Sequence, residues 1–169
     1  IVDLGSHLPV WRTNAQEELI RRGKSVEPLL RAALRRPDLS DALETWLVWT
    51  IGRINPEAWF EENTNQKIQS IRVAAFNGRL HPAIRQALAD EEPRIRLAAV
   101  SALRELKASG STASLLELAS RESDRIVYYA AWGALIDLLP PNQRKALLAV
   151  TPGSPREIDQ HRLARSEVL

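Results

Sequence analysis

Pro93–Leu106, PRIRLAAVSALREL, and Arg125–Leu138, RIVYYAAWGALIDL, return small residues and leucines in similar order. In the first stretch Ile95, Ala99, Ala102, Leu103 and Leu106 fall at helical spacing, while Leu97 and Val100 cover a second face. A helix apolar on two faces meets both a pair-mate and a neighbouring layer. Alanines at 98, 99 and 102 allow those neighbours to approach closely. The recurrence predicts an all-α fold, a right-handed α-solenoid or α-α superhelix built from stacked helix pairs.

Working outward, His81–Glu92 reads as the partner of Pro93–Leu106, with Pro82 in its first turn and Ile84 and Leu88 on its apolar stripe. Downstream, Gly110 and Ser111 break the chain, and Ala113–Arg121 supplies an outer helix carrying Leu115, Leu116 and Leu118. Asp124 is placed to cap the following inner helix, and Pro140 and Pro141 end it. Toward the amino end, Pro9–Arg22 reads as the inner helix of an incomplete first repeat. Ser25–Arg36 is amphipathic, with Val26, Leu29, Leu30, Ala33 and Leu34. Ser40 or Asp41 can cap Ala42–Ile54, whose core stripe is Leu43, Leu47, Ile51 and Ile54. Glu57–Asn63 is a short outer helix, and Asn65–Leu80 is another inner one. Asn142–Val150 and Arg156–Glu167 complete ten or eleven expected helices in about five uneven pairs. Gln16, Trp49, Phe76, Val100 and Trp132 mark similar places on successive inner helices at irregular spacing, so the repeat is degenerate.

The 169 residues are 44% apolar, enough for one domain with a substantial core, and charge interrupts every long apolar run. The absence of cysteine excludes disulfides, thiolate catalysis and Cys-ligated zinc in this chain. With no methionine and no signal-peptide pattern, residues 1–169 read as a single repeat domain within a longer polypeptide. A formal charge of +2, from 23 basic and 21 acidic residues, does not by itself call for nucleic acid.

The run from Leu88 to Leu103, with Asp90-Glu91-Glu92-Pro93 before Arg94-Ile95-Arg96 and an Ala-rich helix, resembles the HEAT-like repeat motif. That resemblance implies a scaffold fold, although HEAT-like relatives include bilin lyase subunits and a class of DNA glycosylases. A narrower similarity covers the first half, through Leu8-Pro9-Val10-Trp11-Arg12, the stretch to Gly23, Val26-Glu27-Pro28-Leu29-Leu30 and Trp46-Leu47-Val48-Trp49-Thr50-Ile51. It resembles the HEAT region of large bacterial proteins that carry a sugar-dehydrogenase-like propeller before the repeats and a cytochrome c domain after them. The resemblance implies an exported or periplasmic connector between redox modules. The chain itself contains no Cys-x-x-Cys-His haem site.

Two stripes are candidates for partner binding: Trp46, Trp49 and Arg53, and two repeats later Arg125, Tyr129 and Trp132. Both are expected on the concave face, where aromatic and arginine side chains contribute large buried contact areas and directed hydrogen bonds. Packing between irregular repeats is the competing role for the tryptophans. Arg96 is placed to pair with Asp90 or with a carboxylate of the adjacent repeat. Arg72, Arg79, Arg94 and Arg104 read as a solvated face. His7, His81 and His161 lack metal-ligand spacing, and adjacent glutamates such as Glu91 and Glu92 diverge on a helix. Ser109-Gly110-Ser111 and Pro152-Gly153-Ser154 are turns without the lysine of a phosphate loop.

These readings favour a non-enzymatic scaffold or interdomain connector with no cofactor, whose partner is a protein or an adjoining domain. The alternative is nucleic-acid binding with base chemistry. It requires arginines, tryptophans and a carboxylate such as Asp137 or Glu44 on one face.

Overall fold

The computed structural model describes residues 1–144. It is all-helical, with eight α-helices and no strand among the described residues. In chain order these are α1 Pro9–Arg22, α2 Glu27–Leu34, α3 Asp41–Ile54, α4 Thr64–Phe76, α5 Pro82–Gln86, α6 Pro93–Glu105, α7 Thr112–Arg121 and α8 Arg125–Leu138. The long helices pack in sequence: α1 on α3, α3 on α4, α4 on α6 and α6 on α8. These five correspond in sequence to the helices expected as inner ones. α2 packs on α3, α5 on α6 and α7 on α8.

Local chemistry sets the starts. Ser40 accepts a hydrogen bond from the Leu43 N–H, Asn63 from that of Gln66, and Asp124 from those of Ile126 and Val127. Prolines open α1, α5 and α6, where a missing N–H costs nothing. α6 buries Ile95, Ala98, Ala99, Val100, Ala102 and Leu103, as a helix packed on both sides must. The shorter helices of each pair bury one stripe only. Leu30, Leu34, Leu115 and Leu118 are buried, whereas Leu29 and Leu116, expected beside them, face solvent.

Four expected elements differ. The span His81–Glu92 contracts to the five residues of α5 followed by a 3-10 turn at Ala87–Ala89. Glu57–Asn63 is not a helix; it is the end of a turn followed by irregular chain. Its polar groups are claimed from elsewhere: Asn55 accepts from the Glu57 N–H, and the buried Ser70 hydroxyl both accepts from the Phe60 N–H and donates to the Phe60 carbonyl. With those groups satisfied by side chains, the helical ladder is not needed. The inner helix expected to reach Leu80 stops at Phe76. Gly78 adopts φ 69°, and the Arg79 N–H returns to the Ala74 carbonyl. The amphipathic span Ser25–Arg36 contracts to α2, preceded by a 3-10 turn at Gly23–Val26. The expected helices Asn142–Val150, apart from its first residues, and Arg156–Glu167 lie outside the described residues.

A repeated interaction links successive inner helices. The fourth residue of α3, Glu44, accepts hydrogen bonds from Asn63, Asn65 and Gln66 at the start of α4. The fourth residue of α4, Lys67, pairs at 3.0 Å with Asp90 in the turn before α6. The fourth residue of α6, Arg96, forms a bidentate pair with Glu122 in the turn before α8, both bonds 2.7 Å. Its remaining nitrogen donates to the carbonyls of Asp90 and Glu91 at 2.8 Å. Of the acids open to Arg96, the one in the turn before α8 is therefore used, rather than the carboxylate of Asp90. Asp90 gives Arg96 its backbone and Lys67 its carboxylate.

Burial works against the charge on Glu122, but hydrogen bonds from Arg96 and the Asp124 N–H outweigh it, and the carboxyl titrates below its ordinary range. A carboxylate depressed in the folded state contributes stability above its unfolded pKa and loses it as pH falls through the folded one.

Removing one partner of this pair strands a buried charge. Arg96→Met is expected to cost about 3–5 kcal/mol in urea unfolding, and the double variant Arg96→Met/Glu122→Leu less than that. Glu122→Gln should also flatten the loss of stability below about pH 5. At the C-terminal end of α6, Lys107 holds φ 50°, the place that Gly78 takes after α4. Because the left-handed region costs a non-glycine residue roughly 1–2 kcal/mol, Lys107→Gly should raise the unfolding midpoint.

Candidate interaction surface on the inner helices

The apolar core divides between α3 and α4. One cluster joins Leu19, Leu30, Leu47, Val48 and Ile51, and the other runs from Ile68 and Ile71 to Leu135. Amides and hydroxyls line the seam between them. Asn65 bonds Thr45 and Glu44, the Trp49 indole N–H donates to Gln69 at 3.0 Å, and Asn77 donates to the Gly52 carbonyl at 2.9 Å. The helices meet closely there, since a Cβ on Gly52 would lie 2.7 Å from a Val73 methyl.

The first predicted stripe divides at this seam. Trp49 and Arg53 are brought together with Phe76, which closes α4. The Trp49 and Phe76 rings meet edge to face with centroids 5.5 Å apart, and the Arg53 guanidinium lies 5.9 Å from the Phe76 centroid. Arg53 is anchored across to α1 by Glu17 at 2.7 Å and by Gln16 at 3.4 Å. Phe76 is 59% exposed. Trp46 stands apart from this group: it is half-buried against the amino-terminal cluster, with Arg12 of α1 5.7 Å from its ring.

The second stripe is also divided. Arg125 is exposed at the first position of α8. Tyr129 packs edge-on to the buried Tyr128, and Trp132 lies against Tyr128 and the larger core cluster. The Trp132 indole N–H is buried without a hydrogen-bond partner among the described residues. Tyr128 is the common neighbour of the two.

Of the arginines read as a solvated face, Arg79, partly exposed, pairs with Glu57, and Arg104, exposed, pairs with Asp137. Arg94 bonds the nearby Glu92. Arg72 is exposed, with no hydrogen bond or ion pair among the described residues. Its exposure is as the reading on a solvated face expects, whereas sequence reasoning missed Phe76 as a surface residue. The available signal was the stop at Asn77-Gly78, which puts Phe76 on the last turn of α4 with Arg72 one turn before it.

The carboxylates needed for base chemistry are engaged. Asp137 is held by Arg104, and Glu44, 7% exposed, is enclosed by three side-chain amides. A cleft of about 580 Å³ beside Glu44 is lined by Arg35, Leu39, Asp41, Glu62 and Arg94 among others. His81 caps α5 by accepting the Ala83 N–H and stacks on Trp59 at 4.3 Å. Burial and then Arg79 push its pKa down, with Glu61 opposing. Among the described residues no group of three His, Cys, Asp or Glu side chains could hold a metal ion, and no helix is long and apolar enough to cross a membrane. Compared with known proteins, the chain matches no family model, and no curated sequence is significantly similar to it.

The two kinds of aromatic residue should separate in unfolding experiments. Trp46→Ala and Trp132→Ala are expected to cost about 2 kcal/mol or more through lost packing. Phe76→Ala, on the surface, should change stability by less than about 1 kcal/mol.

Proposed function

We propose that this chain is an α-solenoid of HEAT-like repeats acting as a non-enzymatic scaffold, with the exposed side of its inner helices receiving a protein or an adjoining domain. The observation that carries the reading is the Trp49–Phe76–Arg53–Glu17 group. It spans α1, α3 and α4, stands at the surface, and is held in one arrangement by contacts between helices. Aromatic and arginine side chains fixed in this way lose little freedom on binding and supply large contact area. The linkage of the fourth residue of α3, α4 and α6 to the start of the next long helix supports the solenoid part of the proposal, because three successive units contact their neighbours in the same manner. An interdomain connector between redox modules is the specific form suggested by the amino-terminal resemblance.

Nucleic-acid binding is the weaker reading. Arg53 and Arg104 are already neutralised by Glu17 and Asp137, so phosphates would have to displace those acids.

Affinity purification from the source cells with the complete polypeptide should recover a partner. Trp49→Ala/Phe76→Ala, with its helical content verified by circular dichroism, should reduce that recovery several-fold. Undiminished recovery overturns the assignment of this surface. Duplex binding at low salt that weakens steeply as salt rises would replace it with the nucleic-acid reading.

A further inference from the structure

We infer that the Phe76 patch takes an acidic segment of a protein partner, with an apolar side chain of that segment on the Phe76 ring and a carboxylate on Arg72. The inference rests on the scaffold reading and adds the chemistry of the partner.

Phe76 is exposed yet fixed. Trp49 meets its ring at 63° between planes, and the Trp49 indole is itself tied to Gln69. The guanidinium over the ring belongs to Arg53, whose charge is taken up by Glu17. An apolar group arriving here meets a rigid aromatic surface whose ordering is complete before binding.

Arg72 supplies the polarity. It precedes Phe76 by four residues on α4, so the two occupy one side of the helix. Arg53, Arg96 and Arg104 on the neighbouring inner helices each hold a carboxylate, whereas Arg72 holds none among the described residues. Its planar fork matches a carboxylate with two parallel hydrogen bonds. With Glu17 committed to Arg53, the complement this patch lacks is a single negative charge beside an apolar group. One unpaired cation suits an acidic peptide better than a nucleic acid, whose closely spaced phosphates need a row of them.

The test uses the ¹⁵N-labelled chain and the Trp49 indole N–H resonance, assigned by its loss in Trp49→Phe. Three probes are titrated: the capped peptide Glu-Asp-Phe-Leu-Asp-Glu, the same peptide with every acid replaced by its amide, and a thymidine oligonucleotide. The acidic peptide should move the resonance to saturation and bind about tenfold more tightly than the amide peptide. Arg72→Gln should remove that difference, and Phe76→Ala should abolish the shift for both peptides. Equal affinities, no shift with the acidic peptide, or tighter binding of the oligonucleotide overturns the inference. If the peptides fail but Trp49→Ala/Phe76→Ala still loses the cellular partner, the scaffold reading stands and the acidic-segment inference falls. If the peptides bind as expected but the cellular partner is retained, the scaffold assignment falls.

Discussion

The structure depends on one contact made three times: the fourth side chain of α3, of α4 and of α6 reaches forward to the residues that open the next long helix. Arg96 shows why this contact sets register. Its guanidinium meets Glu122 through two bonds and the carbonyls of Asp90 and Glu91 through a third nitrogen. One side chain thus ties α6 to the chain before it and to the turn before α8. The pair is almost closed to water, with Glu122's side chain 1% exposed, so each charge depends on the other. Alanine-rich packing between α6 and its neighbours would tolerate a slip of one helix along another. A bidentate ion pair permits only one alignment.

The same position is filled differently along the stack. Lys67 to Asp90 is a partly exposed point-charge pair, and Glu44 uses no cation, accepting only from amides. The position is therefore constrained to reach forward with a strong polar group, while the sign of its charge is free. The core follows the same logic. Between α6 and α8 it is continuous and apolar, whereas the α3–α4 seam is dominated by amides and hydroxyls around a close approach at Gly52. Directional bonds take over at the place where irregular chain, and no helix, connects α3 to α4.

Helix starts were legible from sequence because capping and proline chemistry are local. Pro9, Ser40, Pro93 and Asp124 begin helices for reasons contained within three residues. Glu57–Asn63 was misread because its fate rests with Ser70, ten residues after the Phe60 backbone it satisfies. Arg96 had two acids within reach by pattern, and only packing of α6 on α8 selects Glu122. The surface was least legible. Phe76 has the composition of a core residue, and its exposure follows from where Gly78 ends α4. Trp46 and Trp49, three residues apart on one helix, serve different neighbours: α1 and the amino-terminal cluster for Trp46, α4 for Trp49.

Glu44 shows how electrostatics and missing structure meet at the seam. A carboxylate that is 7% exposed without a cation would ordinarily take up a proton. Burial does oppose its charge, yet hydrogen bonds from Asn65, Asn63 and Gln66 prevail and its pKa lies below the ordinary range. Glu44 also sits in the first turn of α3, where the exposed N–H dipoles favour a negative charge. Two of its three donors, Asn63 and Gln66, form the cap of α4, because the Asn63 side chain accepts the Gln66 N–H while its amide donates to Glu44. Replacing Glu44 by a neutral group would therefore release the cap of the next helix as well as a hydrogen-bonded anion. The negative charge is held in place as the common acceptor for the start of α4, and the irregular chain that precedes α4 relies on that anchor.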